Sequence, residues 1–263
     1  MVLEKLITTR DAVEHPVWMI VIGAIVALIS LGLSSLIFPE SIGLFTTILI
    51  TFTMTPFMVN LMTYEEIMTE VEMKKKIQSD FFNRHENTLF VYATLFGGMI
   101  IALSLAFLVL PENTVTKVFN EQIQEIQLIR GDFLSGSTFF KILFNNIGVL
   151  FVTLLFSFIF GSGAIFILSW NASVLSAAIG LTAKSLGGFS GIPGAIVTYL
   201  PHGVFEISAY FLSGIAGGIL SAAVIRKKSE YTNEVAKDSL KVMLLALGFL
   251  FVGAIIESIL IGS

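Results

Sequence analysis

Charge-free apolar runs of membrane-crossing length recur along this chain, and they decide what it can fold into. Val17 to Phe38, Ile42 to Met62 and Leu89 to Leu110 contain no Asp, Glu, Lys or Arg. About 20 residues of α-helix cross the roughly 30 Å of bilayer hydrocarbon. A helix also pairs its own backbone N–H and C=O groups there, where no water is available to do so. Each run therefore reads as a spanning helix. The composition agrees: 13% of residues are charged, 55% are hydrophobic and the mean hydropathy is +0.90, whereas soluble domains carry about 25% charged residues. The first run is long and lacks a small-residue cleavage site, so it is expected to be a span and not a signal peptide.

Residues 1–16 suggest a short amphipathic surface helix. Val2, Leu3, Leu6, Ile7 and Val13 share one side, and His15-Pro16 stops the helix. Pro56 falls inside the second span and predicts a kink. From Tyr64 to Asn87 the chain is strongly charged, with a partial stripe of Ile67, Met68, Val71 and Ile77. This stretch reads as a solvated surface helix joining two spans. Residues 112–138 repeat apolar positions at three- and four-residue steps and predict an amphipathic helix. Phe139 to Leu168 reads as the fourth span, a long span follows Pro201 as far as Ile225, and Val242 to Ile261 reads as the last.

Lysine and arginine collect on the cytoplasmic side of membrane proteins. Two lie near the N-terminus (Lys5, Arg10), four between residues 64 and 87, and five between 226 and 241. The turn at 39–41 has none and the 111–141 connection has three. The N-terminus, 64–87 and 226–241 are therefore expected in the cytoplasm, and 111–141 outside. Residues 172–200 must then cross once more, without one uninterrupted apolar run. The expected solution is a broken crossing: half-helices Ala172–Ala183 and Ile192–Leu200 joined by Lys184–Gly191. Irregular backbone at membrane depth is tolerated only inside protein or beside a wet cavity, and broken helices are typical of transporter substrate sites. A re-entrant hairpin is the alternative, but it violates the charge count.

The expected fold class is all-α, a polytopic membrane helix bundle of about six long spans plus one broken crossing. It divides into residues 1–88 (surface helix, two-span hairpin, charged cytoplasmic connector) and residues 89–263, a membrane core with an outward connection at 111–141. The expected location is the cell membrane, with the N-terminus cytoplasmic and the C-terminus outside.

Two acidic side chains lie well inside these spans, Glu206 and Glu257. A charge at the bilayer centre costs about 2.5–3.5 kcal/mol by insertion measurements, so each should face inward, partnered or protonated. In Pro201-His202-Gly203-Val204-Phe205-Glu206 the histidine and carboxylate stand four apart, on one helix face. Pro201 suits the first turn of that helix. His202, Glu206 and Glu257 together suit a divalent metal such as zinc, iron or manganese. The plainer reading is a hydrogen-bonded network that packs helices. Asn145, Asn146 and Asn171 form a second constellation, either bridging helices or facing a substrate; interhelical hydrogen bonds of this kind are worth about 0.6 kcal/mol each. Gly214 with Gly218, and Ser213 with Gly217, offer a flat face for a neighbouring helix of this chain or of another copy, and Gly161 and Gly163 are expected to act similarly on the fourth span.

Without cysteine there are no disulfides or thiolate metal sites. The net charge of -4 is spread between spans and suggests no nucleic-acid partner. No phosphate loop, dinucleotide fingerprint or nucleophile elbow is present, so an enzyme is not the expectation.

Phe144-Asn145-Asn146, Phe160-Gly161-Ser162-Gly163, Trp170-Asn171, Pro201 to Glu206, Gly214-Ile215-Ala216-Gly217-Gly218 and Ile256-Glu257 form a pattern. It resembles the stage II sporulation protein M family over roughly residues 139–261, while the first two spans match less clearly. The resemblance implies that Asn145, Asn146, Asn171, His202, Glu206 and Glu257 are the family's polar positions. The family's named member is a membrane scaffold for peptidoglycan-degrading enzymes during sporulation, and relatives occur in organisms that do not sporulate. Two function classes follow. One is a membrane scaffold or channel-like component that binds other membrane or cell-envelope proteins. The other is a transporter or metal-dependent membrane protein using the intramembrane His/Glu site.

Overall fold

The computed structural model describes residues 8–74, 81–133, 138–225 and 229–262. Among them ten α-helices follow one another: α1 (Thr9–Glu14), α2 (Trp18–Ile37), α3 (Ile42–Lys74), α4 (Phe81–Val109), α5 (Glu112–Val118), α6 (Asn120–Phe133), α7 (Thr138–Phe160), α8 (Ala164–Ser185), α9 (Ile192–Ile225) and α10 (Ser229–Gly262). Seven are long and apolar enough to cross a membrane: α2, α3, α4, α7, α8, α9 and α10. Large apolar side chains such as Leu36, Phe52, Val197 and Ile259 stand exposed on them. This suits a chain surrounded by lipid, which is as apolar as the protein core.

Contacts at the helix ends show how the spans alternate. At one end Glu65 of α3 meets His85 and Thr88 of α4. At the opposite end Gln122 of α6 abuts Gly43 of α3, and Phe107 of α4 packs against Phe119 and lies beneath the Lys184 ammonium of α8. This first end, where α3 finishes at Lys74, α4 starts at Phe81 and α9 finishes at Ile225, is called here the basic end after the lysines and arginines that the sequence carries next to those positions.

The chain reverses where the sequence reads as one continuous span. Phe139 to Leu168 is not a single helix: α7 ends at Phe160, and α8 begins at Ala164. Gly161 takes a φ of 72°, in the left-handed region that favours glycine. A Cβ on Gly163 would stand 2.3 Å from the Phe156 carbonyl oxygen. The Ala164 N–H donates to the Ser157 hydroxyl at 2.9 Å, pairing one of the free donors that open a helix. Gly161 and Gly163 thus make a turn and not a packing face.

The expected broken crossing disappears as a result. Ala172–Ala183 is the middle of the continuous helix α8, and Ile192–Leu200 is the beginning of α9. Helix α9 runs through Pro201, which therefore lies in the helix interior and not in its first turn. Between α8 and α9, Gly187 and Gly188 take φ values of 101° and 78° before a single 3-10 turn, Gly188–Gly191. The bundle reaches its seven candidate spans without a half-helix.

The charged stretch after Tyr64 is also not a solvated connector. Helices α3 and α4 extend past their apolar runs, and Glu65, Glu66, Glu70 and His85 are all buried. The middle of that stretch, residues 75–80, lies outside the described residues. Of the expected N-terminal surface helix, Thr9–Glu14 is helical and buries Ala12 and Val13, while Val2, Leu3, Leu6 and Ile7 lie outside the described residues. In the 111–141 connection Val115, Val118, Phe119 and Ile126 are buried, and Gln122 donates to Ser173 of α8 at 3.2 Å. Pro56 lies inside α3.

Helix α9 sits at the centre because its small residues admit three neighbours. A Cβ on Gly214 would meet Ala164 of α8 at 2.7 Å, one on Gly217 would meet the Leu154 carbonyl of α7 at 2.6 Å, and one on Gly218 would meet Met62 of α3 at 2.6 Å.

Candidate functional site

Helix α7 lies alongside α9 and runs in the same direction, so that Asn146 faces Glu206 and Tyr210, and Leu150 faces Ser213. These positions recur every three or four residues on both helices, which keeps them on one face. The Asn146 side-chain amide N–H donates to Glu206 Oε1 at 2.7 Å. Its carbonyl oxygen accepts from the Tyr210 hydroxyl at 3.0 Å and from Asn145 at 3.3 Å. The amide is therefore fixed in orientation, with its nitrogen directed at the carboxyl group.

Helix α10 completes the site from the other side. Gly253 lies one turn before Glu257, and a Cβ there would come within 3.2 Å of Glu206 Cγ. Its missing side chain lets α10 approach α9 closely, and Glu257 stands with Glu206 at the edge of one cavity.

A cavity of about 320 Å³ opens beside this pair, toward the end opposite the basic one. Its polar walls are Glu206, Glu257, His202, Asn171, Tyr210 and Tyr199. His202 Nδ1 is buried there without a hydrogen-bond partner among the described residues. Asn171 donates its amide N–H to the Ile167 carbonyl of its own helix at 2.8 Å. Tyr199 ties α9 to α8 through a 3.0 Å hydrogen bond with Thr182.

The structure therefore gathers Asn171, His202, Glu206 and Glu257 around one cavity, with Asn146 bonded to Glu206 and Asn145 behind Asn146. Among the described residues no three His, Asp or Glu side chains are placed to hold a metal ion. Glu206 is engaged by Asn146 instead. Reading the sequence misses Tyr210 and Gly253. Tyr210 was within reach, since it stands four residues after Glu206 on the same helix face.

A second buried cluster went unread. His85 Nδ1 lies 2.7 Å from one oxygen of Glu65, and the Thr88 hydroxyl donates to the other. Glu65, His85 and Thr88 are each at most 4% exposed. They close the basic end between α3 and α4.

A family model described as stage II sporulation protein M matches residues 17–260. The match extends well beyond residues 139–261 and takes in the first two spans. An uncharacterized protein of Methanocaldococcus jannaschii is 30% identical over 168 residues, covering 60% of this chain and 88% of that protein. No solved structure matches.

Proposed function

The chain belongs to the stage II sporulation protein M family, and from that premise we propose a multi-pass membrane protein of transporter or channel type. Its site is formed by Asn146, His202, Glu206, Tyr210 and Glu257, and takes up a proton or a small cation. The observation that carries this reading is that two intramembrane glutamates, Glu206 of α9 and Glu257 of α10, line one cavity together with His202. Intramembrane carboxyl groups are costly, and a site that only held helices together would need neither two of them nor the cavity.

Each residue has a role in this reading. Glu206 and Glu257 hold and exchange the positive charge, Asn146 orients Glu206, and Tyr210 fixes Asn146. His202 offers an unpartnered ring nitrogen to whatever enters. With the basic end in the cytoplasm, as the lysine and arginine distribution favours, the cavity faces outward.

Purified protein in vesicles containing a trapped pH-sensitive dye tests the proposal. Wild-type vesicles should pass protons or a monovalent cation down an imposed gradient. Glu206→Gln should lose that flux while keeping its melting temperature, since glutamine can still accept from Asn146. Flux in wild-type vesicles no greater than in protein-free ones would defeat the reading.

A membrane scaffold for cell-envelope proteins is the second reading. It is favoured by α7, which turns Phe140, Phe144, Phe151 and Leu155 outward. A scaffold has no use for the carboxyl pair, so capture of envelope partners unchanged by Glu206→Gln, without flux, would support it.

A further inference from the structure

We propose that the guest of the cavity lined by Glu206 and Glu257 is an organic ammonium ion, a cationic head on a short hydrocarbon body, and not a bare inorganic ion. This inference rests on the transport reading above and names the substrate class of the same site.

The sign of the guest follows from the walls. Glu206 and Glu257 both line the cavity, and no described lysine or arginine does. The Tyr210 hydroxyl donates its hydrogen to Asn146 and keeps only lone pairs to offer. Asn171 gives an amide N–H to the Ile167 carbonyl of its own helix. What these groups have left is mostly acceptor capacity, which suits a guest that brings N–H donors and a positive charge. An anion would meet two carboxyl groups and no cationic side chain.

The size and the carbon content of the walls argue against a bare ion. At about 320 Å³ the cavity has room for roughly ten water molecules, each taking about 30 Å³ in the liquid. A proton needs no such space, and an alkali ion sheds its hydration shell only into a ring of oxygens. Here Val174 and Leu175 of α8, Ile207 of α9 and Leu260 of α10 line the cavity with hydrocarbon. Among the described residues no three His, Asp or Glu side chains converge as a divalent ion requires. A mostly apolar pocket of about 300–1,000 Å³ with a few convergent polar groups is the usual form of a small organic ligand's site.

Aromatic rings supply the place for the head. Helix α9 runs from the outer end toward the basic end, so Tyr199 stands nearest the mouth, His202 and Glu206 follow, and Tyr210 lies deepest. These four are spaced three or four residues apart, on one helix face. The rings of Tyr199 and His202 lie 6.3 Å apart. Phe96 of α4, whose ring meets that of Phe211 edge-on at 5.6 Å, lines the cavity at its inner level. A cation is attracted to the negative faces of such rings, and an ammonium N–H can be given to the carboxyl oxygens at the same time. The hydrocarbon body then lies toward the mouth, along Leu175 and Leu260.

Titration calorimetry on the purified protein in nanodiscs, with empty nanodiscs subtracted, tests the assignment with butylammonium at pH 7, where the amine is protonated. Butylammonium should bind, while 1-butanol and sodium chloride at equal concentration should not. Affinity should rise roughly fourfold per methylene from ethylammonium to butylammonium, the equivalent of about 0.8 kcal/mol for each buried CH₂. Glu257→Gln should weaken butylammonium at least tenfold; should that variant fail to fold, the chain-length series on the wild type still decides. If butylammonium does not bind, or 1-butanol binds as well, while wild-type vesicles carry a Glu206-dependent proton or sodium flux, the organic guest is overturned and the transport reading stands. If butylammonium binds with that chain-length dependence but no cation crosses the vesicle membrane, the guest stands and the transport reading falls. If neither binding nor flux is seen, both fall.

Discussion

Glu206 and Glu65 are both buried in the same bundle, but their surroundings differ. Glu65 is satisfied by a single hairpin: His85 and Thr88 of α4 take its two oxygens, and α3 and α4 shut around them. Glu206 stands among three helices, bonded to Asn146 of α7, and shares a cavity with Glu257 of α10. An enclosed carboxylate whose oxygens are both engaged has little to exchange. A carboxyl group that lines open space together with another can trade a proton or accept a guest. Burial is common to both sites, and the geometry of satisfaction separates them.

The largest expected effect tests that contrast directly. His85→Ala leaves the Glu65 carboxylate buried with one partner gone, and breaking a buried pair in this way costs about 3–5 kcal/mol. Glu206→Gln keeps an acceptor for Asn146, so its cost should stay within about 1 kcal/mol. Thermal unfolding in detergent or nanodiscs measures both. Equal losses would erase the distinction between a closed site and an exchangeable one.

An intermediate effect separates the neighbouring asparagines. Asn146→Ala removes a donor from Glu206 and the acceptor of Tyr210, and leaving these groups unpaired costs about 1–3 kcal/mol. Asn145 contacts only the Asn146 oxygen among the hydrogen bonds at this site, so Asn145→Ala should stay within about 0.5 kcal/mol. A reversed order would mean that the outer site is organised from the Asn145 side.

The contrast between the two clusters also explains how much could be read in advance. Glu206 and Glu257 stood out because they interrupt apolar runs, where a carboxyl group has no solvent to hide in. His202 followed from its four-residue spacing to Glu206, and the asparagines from being side-chain amides able to bridge helices. Glu65 lies among Glu66, Glu70, Glu72 and the lysines that follow, and composition alone cannot tell an inward carboxylate from a solvated one. That would require knowing that α3 and α4 remain paired beyond the membrane-length run. The reversal at Gly161–Gly163 was hidden for a related reason. Phe160 and Ala164 flank it without polar residues, so a turn made by one left-handed glycine and one close approach reads like continuous helix. The count of seven spans was nevertheless legible, because the lysine and arginine balance demanded a crossing between Asn171 and Pro201. Only its location was misplaced.

The smallest effect belongs to an exposed carboxylate that serves as the control for both buried ones. Asp11 is bonded within a single turn at the start of α1: its carboxyl accepts from the Thr8 hydroxyl at 2.6 Å and from the Thr8 N–H at 3.3 Å. These bonds, the hydroxyl first, hold its pKa below the ordinary carboxylate range. A lowered value in the folded state means that the cap's contribution is fully present above the unfolded pKa and fades as pH falls through the folded one. Thr8→Ala should move the Asp11 titration, followed by carboxyl NMR, up toward the ordinary value and fray α1 at neutral pH. His85→Ala and Glu206→Gln should leave that titration in place, since neither site touches α1's cap. A shift in Asp11 caused by either buried-site variant would mean that those variants disturb the whole bundle, and their difference could no longer be assigned to local geometry.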